Sequence, residues 1–320
     1  MPEEIVFLFW HFIREGKRGI ALFRKSWKLE LPLHLLLLPA TAIVFIFNYI
    51  PMAGIVMAFE RYIPTKGILG SKWVGFDNFS YVFSLPDTYT VLWNTLFIAC
   101  MKIVVGQATP IAIALLLNEM RSAFIKRGVQ TLIYLPHFLS WTILGGIMID
   151  ILSPSSGIVN QALTALGGKP IFFLGDNAWF PFTIVVSNEW KEFGFSTIVY
   201  LAALTGISPA LYEAAVVDGA GRWRQTWHIT LPGMRPVIIL LVTLSLGQVL
   251  NAGFEQIFVL YSPQVYESGD IIDTMVYRMG MLSAQYGPAT AVGLMKSVVS
   301  LVLISIAYFL AYRLANYRIF

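Results

Sequence analysis

The chain has 320 residues, 57% of them hydrophobic and only 12% charged, and its mean hydropathy is +0.70. Soluble domains carry about 25% charged residues, so this composition excludes a soluble globular domain and points to an integral membrane protein, which the helix-length apolar segments below make all-α. The net charge of +4 is not a nucleic-acid footprint, because the basic residues sort by loop, as set out below.

Residues 1–32 read as a cytoplasmic N-terminal segment. Glu3 and Glu4 stand where a positive n-region would be, and the run Ile5–Ile13 ends at Arg14 with no small-residue cleavage site, which argues against a cleaved signal. Phe7, Phe9, Trp10 and Phe12 followed by basic residues suit an interfacial helix; a frayed tail accounts for them equally well. A spanning helix needs about 20 apolar residues. Six segments qualify: 33–57, 91–118, 129–152, 179–206, 236–261 and 287–313. Pro39, Pro51, Pro110 and the pair Gly145–Gly146 fall inside them and are tolerated where neighbouring helices satisfy the freed backbone groups. The lone cysteine, Cys100, lies in an apolar run and has no partner for an intramolecular disulfide. Between spans three and four, "SPSSGIVNQALTALGGKP" has an apolar, helix-like centre between Pro/Ser/Gly ends and predicts a short helix at the membrane interface.

Lysine and arginine set the orientation. Residues 1–34 hold six, the 119–128 loop three (Arg121, Lys126, Arg127), the stretch after span four three (Arg222, Arg224, Arg235) and the C-terminal end two (Arg313, Arg318). The alternate loops hold five: Arg61, Lys66, Lys72, Lys169 and Arg278. The bias predicts that both termini and the 207–235 loop are cytoplasmic.

That loop contains "LYEAAVVDGAGRWRQTWHITLPGMRP". Ser208-Pro209 is a helix start, Ile207 and Tyr212 occupy staple positions, and Gly219 ends the helix near Asp218. A second short helix is predicted over 221–230, with Leu231-Pro232 ending it and Pro236 opening the next span. Ala214 and Ala215 let another surface approach the first helix closely. Such a helix suits docking into a partner's groove; an amphipathic loop resting on lipid headgroups fits the same residues. The spacing is more specific. Glu213-Ala214-Ala215, then three residues, Gly219, nine residues, Ile229, one residue and Leu231-Pro232 resembles the EAA loop of permease subunits in binding-protein-dependent ABC importers. Upstream, "EWKEFGFSTIVYLAALTGISPALYEAAVVDGA" looks like the maltose-type carbohydrate-uptake branch. "WVGFDNF" (Trp73–Phe79), "NTLFI" from Asn94, "LLLNEM" near Asn118 and "LPHFLSW" from Leu135 are weaker echoes, closest in style to importers of polysaccharide-derived oligosaccharides such as alginate.

The resemblance implies a type I importer-like bundle of about six transmembrane helices over residues 33–320, with a cytoplasmic coupling helix. It assigns ATPase coupling to Glu213, Ala214, Ala215, Asp218, Gly219, Ile229, Leu231 and Pro232. Gly233 departs from the larger apolar residues common in the family and is expected to loosen the end of the loop. The resemblance further implies a second, related permease half, two ATPase subunits, an extracytoplasmic solute-binding protein, surrounding lipid of a bacterial inner membrane and an oligosaccharide substrate; nucleic acid has no place in it.

The chain contains no G-x-x-x-x-G-K-[ST]; in the nearest string, "LGGKP", proline occupies the Ser/Thr position. His11, His34, His137 and His228 have no metal-like spacing, and neither G-x-S-x-G nor H-E-x-x-H is present. The sequence thus reads as a non-enzyme with no cofactor of its own, ATP and Mg being expected on the partner ATPases.

Charges inside spans cost about 2.5–3.5 kcal/mol each on insertion scales and should meet a partner or a wet cavity. In "SNEWKEFGF", Glu189, Lys191 and Glu192 cluster, flanked by Asn188 and Trp190, whose amide and ring suit a sugar's hydroxyls and faces. These residues, together with Asn251, Glu255 and Lys296, are candidates for the substrate pathway; ion pairs between helices explain the charges as readily. Asp150, near a span end, reads as interfacial. Lys191 and Lys296 are compatible with an acidic, alginate-like substrate. A gradient-driven secondary transporter or channel, its carboxylates serving as ion sites, is the alternative.

Overall fold

The computed structural model describes residues 31–315, so the interfacial-helix reading of the N-terminal segment lies outside the described residues. Internal contacts divide the chain between Val56 and Met57. In the first unit, residues 31–56 are helical and almost wholly exposed, with Leu36 and Phe47 projecting outward; Thr41 Oγ1 donates back to Leu37 O at 3.0 Å.

The second unit opens with a two-stranded antiparallel ribbon, β1 (Glu60–Arg61) against β2 (Lys72–Trp73). Helices follow: α1 (Asp77–Ser84), α2 (Thr88–Glu119), α3 (Ala123–Phe138), α4 (Trp141–Leu152), α5 (Ile158–Ala165), α6 (Phe180–Thr205), α7 (Pro209–Val217), α8 (Arg222–Leu246), α9 (Phe254–Leu260), α10 (Ile272–Tyr277) and α11 (Tyr286–Ala315). Four helices of the described chain are each long and apolar enough to cross a membrane: Leu31–Phe59, α2, α8 and α11. Counting two bent pairs as spans gives six. Predicted spans one, two, four and six fall on Leu31–Phe59, α2, α6 and α11, and α5 is the short helix expected from its turn-flanked apolar centre.

Predicted spans three and five differ from what is observed. The segment 129–152 is not one helix: α3 and α4 meet at 106°. Ser140 is extended and caps α4, accepting from Ile143 N at 3.4 Å, while Pro136 tightens the last turn of α3 into a 3₁₀ helix. The fifth span runs over Arg222–Leu246 rather than 236–261. Leu231-Pro232 does not stop it, because Thr226–Thr230 forms a π-turn that accommodates the missing proline N–H. It ends instead at Leu246, and the chain breaks over Asn251–Gly253 before α9.

Helix α2 is the spine. Val91, then Ile98 and Ala99, then Ala114 each enter a different apolar cluster along it. The middle cluster joins Phe180 and Ile184 of α6 to Ile257 of α9; the last joins Tyr200 and Leu204 of α6 to Met234 of α8. At one end, Asn94 donates to Glu267 O at 3.0 Å and Asp270 O at 3.2 Å, and Thr95 Oγ1 accepts from Ile272 N at 2.9 Å. Asn78 likewise holds the ribbon through Ala58 O and Glu60 O. Only 17% of the apolar stretch of α2 and 11% of those of α8 and α11 is buried, so most of this apolar surface faces outward from the described residues.

Candidate functional site

The 207–235 loop folds as a short arm fixed at both ends. Pro209 pre-sets the first turn of α7; Ser208 occupies the N-cap, but its hydroxyl makes no capping bond. The helix ends in a Schellman motif: Ala220 N donates to Ala215 O at 2.8 Å and Gly219 N to Val216 O at 3.0 Å, with Gly219 at φ +74. A side chain there would meet no neighbour, but an L-residue in that conformation costs roughly 1–2 kcal/mol. Helix α7 leaves α6 at 69°. The Tyr212 hydroxyl reaches Thr230 Oγ1 at 3.0 Å, and Arg222 pairs with Glu119 at 2.7 Å, which brings the 119–128 loop to the same end of the molecule. Gly233 tightens this arrangement rather than loosening it. A Cβ at that position would lie 2.7 Å from Ile207 Cδ1, so the missing side chain lets the entry and exit of the loop pack together. Glu213, Ala214, Asp218 and Gly219 are exposed, as are Leu211, Val216 and Val217; Ala215, Ile229 and Leu231 are half-buried, and Pro232 is exposed.

The charges of "SNEWKEFGF" gather at the α3–α4 break. Lys191 Nζ donates to His137 O at 2.6 Å and Leu139 O at 3.0 Å, carbonyls freed where the helix stops. Glu192 lies 3.6 Å from Lys191 and 2.8 Å from His137 Nδ1, and the His137 ring stacks on Phe195 at 4.1 Å. Gly194 brings the two backbones into contact, since a Cβ there would fall 1.9 Å from Ile133 O. Glu189 is buried beside Gly106, and its Oε1 has no hydrogen-bond partner among the described residues.

The second break borders a cavity of about 500 Å³ between α2, α6 and α8. Asn188 and Asn251 line it, with Lys102, Gln107, Gln248 and Ser245. Lys102 Nζ donates to Ala252 O at 2.6 Å and Gln256 Oε1 at 2.5 Å. Gln256 is locked in turn by donating to Ile184 O at 2.7 Å and Ser187 Oγ at 2.8 Å. Gly253, at φ +94, makes the turn and leaves room for the ammonium. Gln107 donates to Ser245 Oγ at 3.0 Å and accepts from the Tyr200 hydroxyl. Trp190 and Glu255 are exposed and do not line this cavity. Lys296 is ion-paired with Asp273 at 2.5 Å. Lys102, Gln107 and Gln256 were not among the sequence candidates, although a lysine within an apolar run and an Asn-Ala-Gly string mark the place.

Long apolar helices, two broken segments, a polar cavity and a short exposed arm between α6 and α8 define a membrane-embedded transport subunit. The chain belongs to the family of binding-protein-dependent transport system inner membrane components, whose model matches residues 106–316. Among its relatives in Bacillus subtilis (strain 168) are protein LplB, 45% identical over 91% of this chain and 90% of that protein, and the polygalacturonan/rhamnogalacturonan transport system permease protein YteP, 44% identical over 87% of each. Two solved structures share the fold at TM-score 0.83: a bacterial ABC transporter involved in the import of the acidic polysaccharide alginate (42% identity, 90% of this chain and 98% of that one), and a bacterial alginate ABC transporter in complex with alginate pentasaccharide-bound periplasmic protein (41%, 91% and 97%). The protein is thus an inner-membrane transport component.

Proposed function

We propose that this chain is one membrane half of an ATP-driven importer that takes an acidic oligosaccharide from a binding protein outside and releases it into the cytoplasm. The observation that carries the reading is α7: nine residues, exposed along much of its length, and fixed at both ends to helices that form the cavity wall. A push or pull on α7 passes into α6, which carries Asn188, and into α8, which carries Ser245. Two-state motion of this kind moves a cavity between faces without chemistry in the chain itself.

The lysine and arginine bias supports a cytoplasmic position for α7 and for both termini. Glu213, Ala214, Ala215, Asp218 and Gly219 then form the docking surface for an ATPase subunit, and Ile229, Leu231 and Pro232 form its brace. Two ATPase subunits supply ATP and Mg chemistry, and a second, related permease half covers apolar faces left exposed. Amides and hydroxyls around the cavity suit sugar hydroxyls, and the Phe195 ring suits a sugar face. The relatives named for polygalacturonan/rhamnogalacturonan and alginate support an acidic cargo.

The test is co-expression with the partner half, the ATPases and the binding protein, followed by purification and uptake in proteoliposomes. An ATPase should co-purify only when the Glu213–Gly219 helix is intact, and acidic-oligosaccharide uptake should require ATP. Gly219→Trp should abolish uptake while membrane insertion persists. Wild-type uptake by that variant, or uptake in vesicles lacking any ATPase, contradicts the reading.

A further inference from the structure

We propose that Lys102 is both the receptor for a cargo carboxylate and the latch that holds the Asn251–Gly253 break closed, so that binding an acidic sugar unlatches α9 from α8. The inference rests on the acidic cargo proposed above and adds the residue and the consequence. Among the described residues, Lys102 is the one charged side chain lining the cavity. An ammonium has three N–H donors. Two are engaged by neutral acceptors, Ala252 O and Gln256 Oε1, and no carboxylate lies within ion-pair distance among the described residues. The other lysines proposed for the pathway differ: Lys191 has Glu192, and Lys296 has Asp273.

A uronate carboxylate entering the cavity offers Lys102 a charged acceptor. Hydrogen bonds to an ionised partner are about twice as strong as neutral ones, so a carboxylate that takes two of the three donors, one on each oxygen, displaces one of the neutral acceptors. Ala252 O is that acceptor: Gln256 is anchored on its far side by Ile184 and Ser187, whereas Ala252 is fully buried, so its carbonyl, once left by the ammonium, regains a partner only if the break opens to water. Losing the Ala252 contact frees the joint between α8, which is continuous with the α7 arm through the Gly219–Gly221 turn, and α9, which packs in the core on Ile98 and Phe180. Cargo recognition and the mobility of the α8–α9 joint then share one side chain.

The complete transporter in proteoliposomes tests this with a short oligogalacturonide and its carboxyl-reduced, neutral counterpart. Wild type should prefer the acidic sugar, Lys102→Met should lower the acidic-to-neutral ratio of uptake kcat/KM by about tenfold or more, the size of one charge-assisted hydrogen bond, and Lys102→Arg should restore most of it. Hydrogen exchange at residues 251–257 of the wild type should rise with the acidic sugar and not with the neutral one, a readout that survives if the variants fail to fold. A Lys102→Met loss equal for both sugars makes Lys102 a clamp only and overturns the proposal, as does exchange that fails to rise. A wild type with no preference for the acidic sugar removes the acidic-cargo reading itself, and the proposal with it.

Discussion

Two breaks between successive helices in this protein are held in the same way and to different ends. At Leu139–Ser140 the freed carbonyls are held by Lys191 of α6, and at Asn251–Gly253 the freed carbonyl is held by Lys102 of α2. Each lysine comes from a continuous neighbouring helix, so backbone carbonyls freed where one helix ends and the next begins are held by a cation from an intact one. The surroundings differ. Lys191 is buried, has Glu192 close by and lies 5.9 Å from the Trp141 ring centroid. Lys102 lines the cavity, its hydrogen-bond acceptors are neutral, and Glu192 acts on it only from beyond ion-pair distance. A cation in direct contact with a carboxylate fixes structure; one that faces a cavity and bonds only neutral acceptors remains available to a ligand.

That contrast can be broken most forcefully at Gly194. A valine there must displace the Ile133 carbonyl, a backbone overpacking of about 3 kcal/mol or more, and no assembled protein should be recovered from membranes. Next is Lys191→Met, which strands two carbonyls at about 1–3 kcal/mol each; the melting temperature in detergent should fall sharply, and uptake of acidic and neutral sugars should fall together. Lys102→Met should lower the melting temperature less, because it strands one backbone carbonyl rather than two. If the two lysine variants melt alike, the distinction between the breaks is lost. Gly253→Ala should cost roughly 1–2 kcal/mol from its left-handed backbone and crowd the ammonium, so its effect on acidic uptake should exceed its effect on melting. Ser140→Ala should be mildest, about 1 kcal/mol or less for a long capping bond, read as a small shift in melting alone.

Local chemistry made the 207–235 arm legible before any fold was known. Ser208-Pro209, Gly219 and the EAA spacing each act within a few residues, and the helix begins and ends where they direct. The breaks were harder to read. Hydropathy continues through Leu139 and Ala252, so an averaged window sees one apolar segment where the backbone turns by 106°. Pro232 looks like a stop because proline lacks an N–H, but the π-turn at Thr226–Thr230 removes the conflict. The cluster Glu189, Lys191 and Glu192 was visible, whereas its use depends on carbonyls more than fifty positions away. Lys102 was the least legible: its partners are 150 and 154 residues distant, and no spacing rule connects them.

The central claim is that force from an ATPase enters through α7, and crosslinking tests it most directly. Val217, 88% exposed at the end of that helix, is replaced by cysteine in a Cys100→Ser background, and a short bifunctional thiol reagent is applied to the complex assembled with its ATPase. The account predicts a covalent adduct between the two chains whose yield changes when ATP is added, with Val217→Cys inaccessible to an impermeant thiol reagent in intact cells. An adduct to no protein, or labelling of that cysteine from outside the cell, would contradict it.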